Sequence, residues 1–337
     1  MRRQGQRAGW WSLWLLVLGA TPVPAGPTEA PTPAAIEHAT QATVGILRHG
    51  ADGGEETGTG RVTVRASGIH IGDRYIVTAR HAVAGGPGDG SDIPKEIQVL
   101  TTNLAQVPAT LVGVDRFLDL AVYRVAARDV SALRAATAFA ESEAAPGEEV
   151  FTVGYPLGWG PAVAFGRIGN PHVFLPTVET RLVQVDLSAC RGNSGGGLFN
   201  GRGELVGLVH AIIQTESTQG DRRCSRFAFA VPRALAYQSV TALIEGRSVG
   251  FSRLGVQMDA VKVGTQWRVA VARAIDPARA AGLQKGDILL AIEDVPITDA
   301  AQLKTYLLEH TAPGQRVAVR ILRGDREQVI YVTLGRA

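Results

Sequence analysis

Cysteine is scarce in this chain: Cys190 and Cys224 are the only two in 337 residues. Two thiols with histidines far from them in sequence make a poor zinc site, so no metal and no other cofactor is expected. Beyond residue 20 the sequence also lacks any apolar run long enough to span a bilayer. A basic surplus is missing as well. The formal charge of +3 arises from 34 basic and 31 acidic residues. Arg2, Arg3 and Arg7 sit in a leader that carries no acid, and without those three the two signs balance at 31 each. With no dense basic run left, nucleic acid is not expected as a partner.

What is present begins with that leader. Its positive start, the apolar run Trp10 to Ala20 and the small residues Val23-Pro24-Ala25 read as a signal peptide over 1–25. The expected location is therefore outside the cytoplasm, periplasmic or secreted; the alternative is an uncleaved segment that anchors the chain. Residues 26–40, rich in Pro, Ala and Thr, read as a lead-in with one helical turn near Ile36 to Gln41. The Gly-rich acidic stretch His49 to Gly60 reads as a mobile loop.

From Arg61 to Val231 short runs of Val, Ile, Thr and Leu are separated by Gly, Pro and Asp, at 61–71, 75–78, 96–100, 107–114, 120–124, 149–153, 181–186 and 204–212. So many strands without intervening helices predict antiparallel barrels or a sandwich, closed by a helix over Pro232 to Ile244. After about Gly250 the texture changes. Strands at 267–273, 287–292, 316–323 and 327–334 alternate with two short helical patterns. The later one, Ala300 to His310, has Asp299 and Gln302 at capping-box spacing, so this unit is a small α+β domain.

The segment Ser188-Ala-Cys-Arg-Gly-Asn-Ser-Gly-Gly-Gly-Leu198 sets Ser194 among glycines at 192, 195, 196 and 197. Such a serine is a weak nucleophile without a base and a group that orients the base. Among seven histidines, His81 stands out because it follows the apolar strand Tyr75 to Ala79, at a polar tip. Asp119, at the start of the apolar run Leu120 to Tyr123, is the acid that an imidazole N–H would satisfy. Asp115 reads instead as a solvated turn residue. Gly192-Asn193-Ser194-Gly195-Gly196 also fits a G-x-S-x-G elbow, but an α/β-hydrolase orders its triad Ser, acid, His. Here only His210 and His310 follow Ser194. The order His81, Asp119, Ser194 in a β-rich chain is that of the chymotrypsin-like plan.

With these residues in place, the chain resembles HtrA-type (DegP/DegS-like) trypsin-fold serine proteases with one C-terminal PDZ domain. The resemblance rests on Tyr75 to His81, Asp119 to Val122, Gly154-Tyr155-Pro156-Leu157-Gly158, Arg191 to Gly196 and Phe229-Ala230-Val231-Pro232. In the second unit it rests on Arg253-Leu254-Gly255-Val256 and on Asp276 to Asp287. It implies a double β-barrel protease domain over 41–246 and a PDZ domain over 250–337. By it His81 is the base, Asp119 its orienter and Ser194 the nucleophile. An oxyanion hole lies at Gly192, Asn193 and Ser194, with the N–H groups of Gly192 and Ser194 as its donors. Arg253 to Val256 would hold a peptide carboxylate.

Expected substrates are unfolded or exposed protein segments, C-terminal peptides are expected at the PDZ domain, and relatives of this type assemble as homotrimers. Asn193 stands where digestive relatives carry an acid, so activation by chain cleavage is not expected. Cys190 and Cys224 resemble the pair that walls the specificity pocket of digestive trypsin-like proteases, a departure from the HtrA pattern that predicts a disulfide. The pocket itself is expected between Ser188, Ala189, Cys190 and Arg191 on one side and His210, Ala211 and Ile212 on the other. With no acid at its base it would favour small or medium aliphatic residues, Ile212 narrowing it, and His210 is expected to be structural. A weakly active or inactive protease fold that binds peptides, chaperone-like, is the alternative function.

Overall fold

The segment Tyr-Ile-Val-Thr-Ala at 75–79 shows why this region builds sheet. β-Branched and aromatic residues follow a tight turn through Gly72, Asp73 and Arg74, all three with positive φ, and every residue after Tyr75 is buried. A computed structural model describes residues 29–48, 63–84, 93–175, 180–212, 224–247 and 250–336. The expected signal segment and the expected loop over His49 to Gly60 lie outside the described residues.

Twelve strands make two closed antiparallel barrels. The first contains β1 (Thr43–Arg48), β2 (Thr63–His70), β3 (Tyr75–Ala79), β4 (Glu96–Leu100), β5 (Gln106–Asp115) and β6 (Leu120–Val125) in the order β1-β2-β3-β6-β5-β4. The second contains β7 (Glu149–Gly154), β8 (Ala162–Val173), β9 (Leu182–Cys190), β10 (Gly197–Asn200), β11 (Leu205–Ile212) and β12 (Cys224–Pro232). Its order, β7-β8-β9-β12-β11-β10, repeats that of the first. The apolar core runs through both, joining Ile69, Val77, Leu118 and Leu120 to Phe151, Phe199, Leu208 and Phe229.

Strands β1, β8, β10 and β12 were not legible as strands. Gly45 breaks the first, Gly166, Gly169 and Pro171 interrupt the second, and the others are short or begin with polar residues. The lead-in differs too: ten residues, not one turn, form helix α1 (Pro33–Ala42). The Thr32 hydroxyl caps it by accepting from the Ala35 N–H at 3.2 Å, and Ala35, Ala39 and Ala42 are buried, so this helix packs with the barrels. A single turn, α2 (Arg80–Val83), follows β3, and α3 (Arg233–Ile244) closes the body.

The second unit has the expected α+β texture: β13 (Ser252–Arg253), β14 (Val256–Val263), β15 (Gln266–Ala274), α4 (Ala278–Ala281), β16 (Ile288–Ile292), β17 (Val295–Pro296), α5 (Ala300–His310), β18 (Arg316–Arg323), β19 (Arg326–Thr333) and β20 (Gly335–Arg336). The Asp299 carboxylate caps α5 by accepting from the Gln302 N–H at 2.8 Å. Its core gathers Leu254, Val271, Leu289, Leu303 and Val319. The two units meet through Phe117 stacked on Phe251 at 4.8 Å and through Arg181. The Arg181 side chain is 1% exposed; it ion-pairs with Glu309 of α5 and donates to the Pro171 carbonyl at 2.7 Å.

Candidate active site

Strands β3 and β6 are hydrogen-bonded neighbours, with Ala79 opposite Leu120. His81 and Asp119 therefore emerge side by side just beyond the paired ends. The Arg80 N–H donates to the Asp119 carbonyl at 2.7 Å, extending the ladder by one bond. Asp119 itself has φ of 57°, in the left-handed region that aspartate tolerates better than most side chains. That turn aims its carboxylate back at His81.

The two carboxylate oxygens have different jobs. Oδ1 accepts from the His81 main-chain N–H at 3.1 Å and lies 3.2 Å from Arg80 Nε. Oδ2 forms a close hydrogen bond with His81 Nδ1 and lies 3.4 Å from Nδ1 of His210. Burial pushes the Asp119 carboxyl upward. The His81 hydrogen bond and the charges of His81, His210 and Arg80 outweigh it and hold the group below the usual carboxylate range. His81 keeps 46% of its side chain exposed, so one ring edge is held while another is open to a reactant.

Asp115 corrects the sequence reading. It is 5% exposed rather than solvated. Its Oδ1 accepts from the N–H groups of Phe117 and Leu118 at 2.9 and 3.0 Å, and its Oδ2 from the Ser239 hydroxyl at 2.7 Å. It braces the turn that delivers Asp119.

Ser194 comes from the turn between β9 and β10. The Gly195 N–H donates to the Val209 carbonyl at 2.8 Å, and the Ser194 carbonyl accepts from the Ser67 N–H at 3.0 Å. Gly195 has φ of +80°, and a Cβ there would lie 2.6 Å from Ala79 N and 2.4 Å from the Ser67 carbonyl. The Ser194 loop is thus packed directly on the end of β3, two residues before His81, and only glycine fits. Among the described residues no hydrogen bond joins the Ser194 hydroxyl to His81. Such bonds commonly tighten only once substrate is bound.

The loop's N–H groups divide cleanly. Asn193 N–H donates to the Cys190 carbonyl at 3.0 Å, and its Oδ1 accepts from the Cys190 N–H at 3.2 Å. Asn193 is therefore a brace inside the turn, not a donor to an oxyanion. Gly192, with φ of +101°, and Ser194 keep their N–H groups out of the backbone bonds that fix the loop. The Arg191 carbonyl accepts from Leu157 N–H at 2.7 Å. A planar trans peptide then turns the Gly192 N–H to the opposite side.

Ser67 was missed in the sequence. Its hydroxyl donates to the Gly192 carbonyl at 2.6 Å and accepts from the Tyr155 N–H at 2.9 Å, tying the first barrel to the loop. The signal was the small triplet Ala66-Ser67-Gly68 in an otherwise bulky strand, which marks a close approach. His210 is the second surprise: it lies against Asp119, its ring nearly perpendicular to that of His81 at 5.8 Å between centroids. Burial lowers its pKa, the Asp119 charge opposing and the His81 charge adding. Of the residues expected to line a specificity pocket, Ser188 and Arg191 are exposed, while Ala189 is buried in the second barrel's core. The side chains of Ala211 and Ile212 lie outside the described residues.

Comparison with known proteins fits this geometry. A trypsin-like peptidase domain model matches residues 66–208, and a PDZ domain model matches residues 252–334. A relative from Hahella chejuensis, named "Probable periplasmic serine endoprotease DegP-like", is 29% identical over 299 residues, covering 86% of this chain and 59% of the relative. A like-named protein from Rhizobium meliloti is 30% identical over 295 residues, covering 82% of this chain and 55% of the relative. The solved HtrA-type protease AlgW with tripeptide superposes with a TM-score of 0.71 at 24% identity, covering 91% of this chain and 98% of that one. The serine endoprotease from Yersinia pestis gives 0.62 at 26%, covering 92% and 100%. The chain carries a trypsin-like peptidase domain followed by one PDZ domain, and it is similar to DegP-like and HtrA-type serine proteases. It spans just over half the length of the curated relatives it matches.

Within this HtrA-type frame, Cys190 and Cys224 are disulfide-bonded, facing one another across β9 and β12 four residues before Ser194. The PDZ unit presents a groove of about 450 Å³ between Arg253-Leu254-Gly255-Val256 and the face of α5 formed by Leu303, Lys304 and Leu307. Phe117, from the turn between β5 and β6, also lines it. Gly255 has φ of +87°, and a Cβ there would lie 2.6 Å from the Ile275 carbonyl.

Proposed function

We propose that this chain is an exported serine endopeptidase that cuts unfolded or exposed protein segments, with His81, Asp119 and Ser194 as its catalytic residues. The observation that carries the reading is Asp119 Oδ2 fixed on His81 Nδ1, on the strand end against which the Ser194 loop is packed. With Nδ1–H held by the carboxylate, the lone pair of His81 is on Nε2. It takes the Ser194 proton as the hydroxyl oxygen attacks a peptide carbonyl, then returns a proton to the departing amine. Asp119, kept ionised by its neighbours, steadies the imidazolium that forms between those steps. The free N–H groups of Gly192 and Ser194 serve the oxyanion, each such donor contributing roughly 3 kcal/mol to barrier lowering.

The groove of the PDZ unit is read as a seat for a peptide C-terminus. Backbone N–H groups at Leu254 to Val256 would hold the carboxylate, and the edge of β14 would pair with the added strand. Because Phe117 lines that groove and precedes Asp119 by two residues, a seated peptide touches the segment that delivers the catalytic acid. Regulation of hydrolysis by such peptides follows from this contact. A periplasmic location and assembly as a homotrimer complete the reading, supported by the names of the relatives and the family resemblance.

Hydrolysis of an unfolded protein such as casein by the purified chain tests the reading. Wild type should digest it and Ser194→Ala should not, with addition of C-terminal peptides changing the wild-type rate. Equal digestion by both proteins would refute the assignment of Ser194, and no digestion with or without peptides would favour a peptide-binding protein.

A further inference from the structure

Asp119 Oδ2 has an imidazole nitrogen on either side. His81 Nδ1 bonds to it directly, His210 Nδ1 stands 3.4 Å away, and one possible ligand atom from each of the three residues lies within 4.8 Å of the others. His210 Nδ1 is buried and has no hydrogen-bond partner among the described residues. Its ring is set nearly perpendicular to that of His81, so the two edges converge on the same oxygen. The other oxygen, Oδ1, is occupied by Arg80 and the His81 main chain, which keeps the guanidinium charge on the far side of the carboxylate. A buried ring nitrogen 3.4 Å from an ionised oxygen calls for an electropositive atom between them, either the ring's own proton or a cation.

We propose that His81 Nδ1, Asp119 Oδ2 and His210 Nδ1 form a binding site for one divalent transition-metal ion of the zinc class, which reversibly switches the catalytic site off. Zinc takes nitrogen at about 2.0–2.1 Å and carboxylate oxygen at about 2.0–2.2 Å, which puts neighbouring tetrahedral donors roughly 3.3 Å apart. The separation between His210 Nδ1 and Asp119 Oδ2 already matches. His81 Nδ1 needs to withdraw only enough to let the ion replace the proton between it and Oδ2. Two imidazoles and one carboxylate suit zinc, copper or nickel and not calcium or magnesium, which prefer all-oxygen shells. The 46% exposure of the His81 side chain provides the entry path and room for a water as fourth ligand.

The consequence is a change of tautomer. Metal on Nδ1 obliges the neutral His81 ring to carry its single proton on Nε2, where the lone pair for Ser194 would otherwise be. No proton is gained or lost; it moves from one ring nitrogen to the other, and the base disappears. Ion binding stands on the donor geometry alone, whereas the loss of activity rests on the proposed role of His81.

The experiment separates the two. Zinc titration calorimetry on full-length Ser194→Ala should give one tight site per chain, and cobalt substituted in the same protein should show the visible band of a four-coordinate ion. His210→Asn and Asp119→Asn placed in that background should each weaken zinc binding by at least about 100-fold, beyond what losing an outer-shell partner costs. In wild type, zinc should slow peptide hydrolysis over the range in which it binds, and a chelator should restore the rate. Absence of a tight site in Ser194→Ala, which retains all three donors, would overturn the proposal, as would unchanged affinity in a folded His210→Asn protein. Tight binding without inhibition would leave the site standing and refute its effect on the base.

Discussion

The two barrels share one strand order and hold the residues proposed as catalytic in opposite ways. The first holds His81 and Asp119 at the ends of directly paired strands, and every fixed atom there belongs to the ladder, a short turn or the carboxylate itself. The second carries Ser194 on a glycine-rich turn secured by a few bonds from outside: Ser67, Leu157 and the Cys190–Cys224 link. A base and its orienting acid need a fixed tautomer and distance, which strand ends supply. A nucleophile needs N–H groups left unpaired for an oxyanion, and a regular strand would have paired them.

The comparison can be broken first at its rigid half. Asp119→Asn removes the acceptor that sets the His81 tautomer, and kcat on a peptide substrate should fall by about 10⁴-fold with little change in KM. A loss below tenfold would mean that the carboxylate only braces the loop. On the flexible half, Gly195→Ala meets backbone on two sides and requires a strained φ, so activity should be lost while the PDZ unit still binds peptide. Retained hydrolysis would show that the loop is not seated on Ala79 as described.

Stability should also differ between the halves. Asp115→Ala leaves two buried donors and one partly buried donor without an acceptor and should destabilise the first barrel by about 3 kcal/mol in denaturant unfolding. Replacing both Cys190 and Cys224 by Ser opens a link across 34 residues and should lower stability by roughly 2–4 kcal/mol. An effect near zero in either variant would remove that brace from the account.

The smallest effect is one of pH. His70, 7% exposed at the end of β2, donates from Nδ1 to the Ala135 carbonyl at 2.6 Å, and its buried Nε2 has no partner among the described residues. Burial holds its pKa below the ordinary 6.5, against opposing effects of that hydrogen bond and of Asp73. The unfolded chain therefore binds the proton more readily. The His70 contribution should be complete above pH 6.5 and lost progressively as pH falls from there through the folded value. His70→Asn should flatten the pH dependence of the unfolding midpoint over that interval; an unchanged slope would show that His70 does not carry it.

The sequence revealed most of the strands and the polar tips they carry, because alternation and turn residues are local signals. His81, Asp119 and Ser194 stood out in the sequence by their residue types and order, and the structure joins His81 to Asp119. The four strands interrupted by glycine, proline or polar starts were hidden because their apolar pattern is short or broken, and tertiary pairing completes them. Asp115 was misread because burial by Ser239, 124 residues away, leaves no trace in its own neighbourhood. The bond from Ser67 to Gly192 and the approach of His210 to Asp119 are likewise long-range facts that only barrel closure creates.

The central claim is that residues of both barrels act as one catalytic unit. Labelling with a fluorophosphonate, followed by mass spectrometry of the modified peptide, tests it most directly. The account predicts that Ser194 is labelled in wild type and that the label is lost in a folded His81→Ala protein. Labelling at another serine, or Ser194 labelling at an undiminished rate without His81, would contradict it.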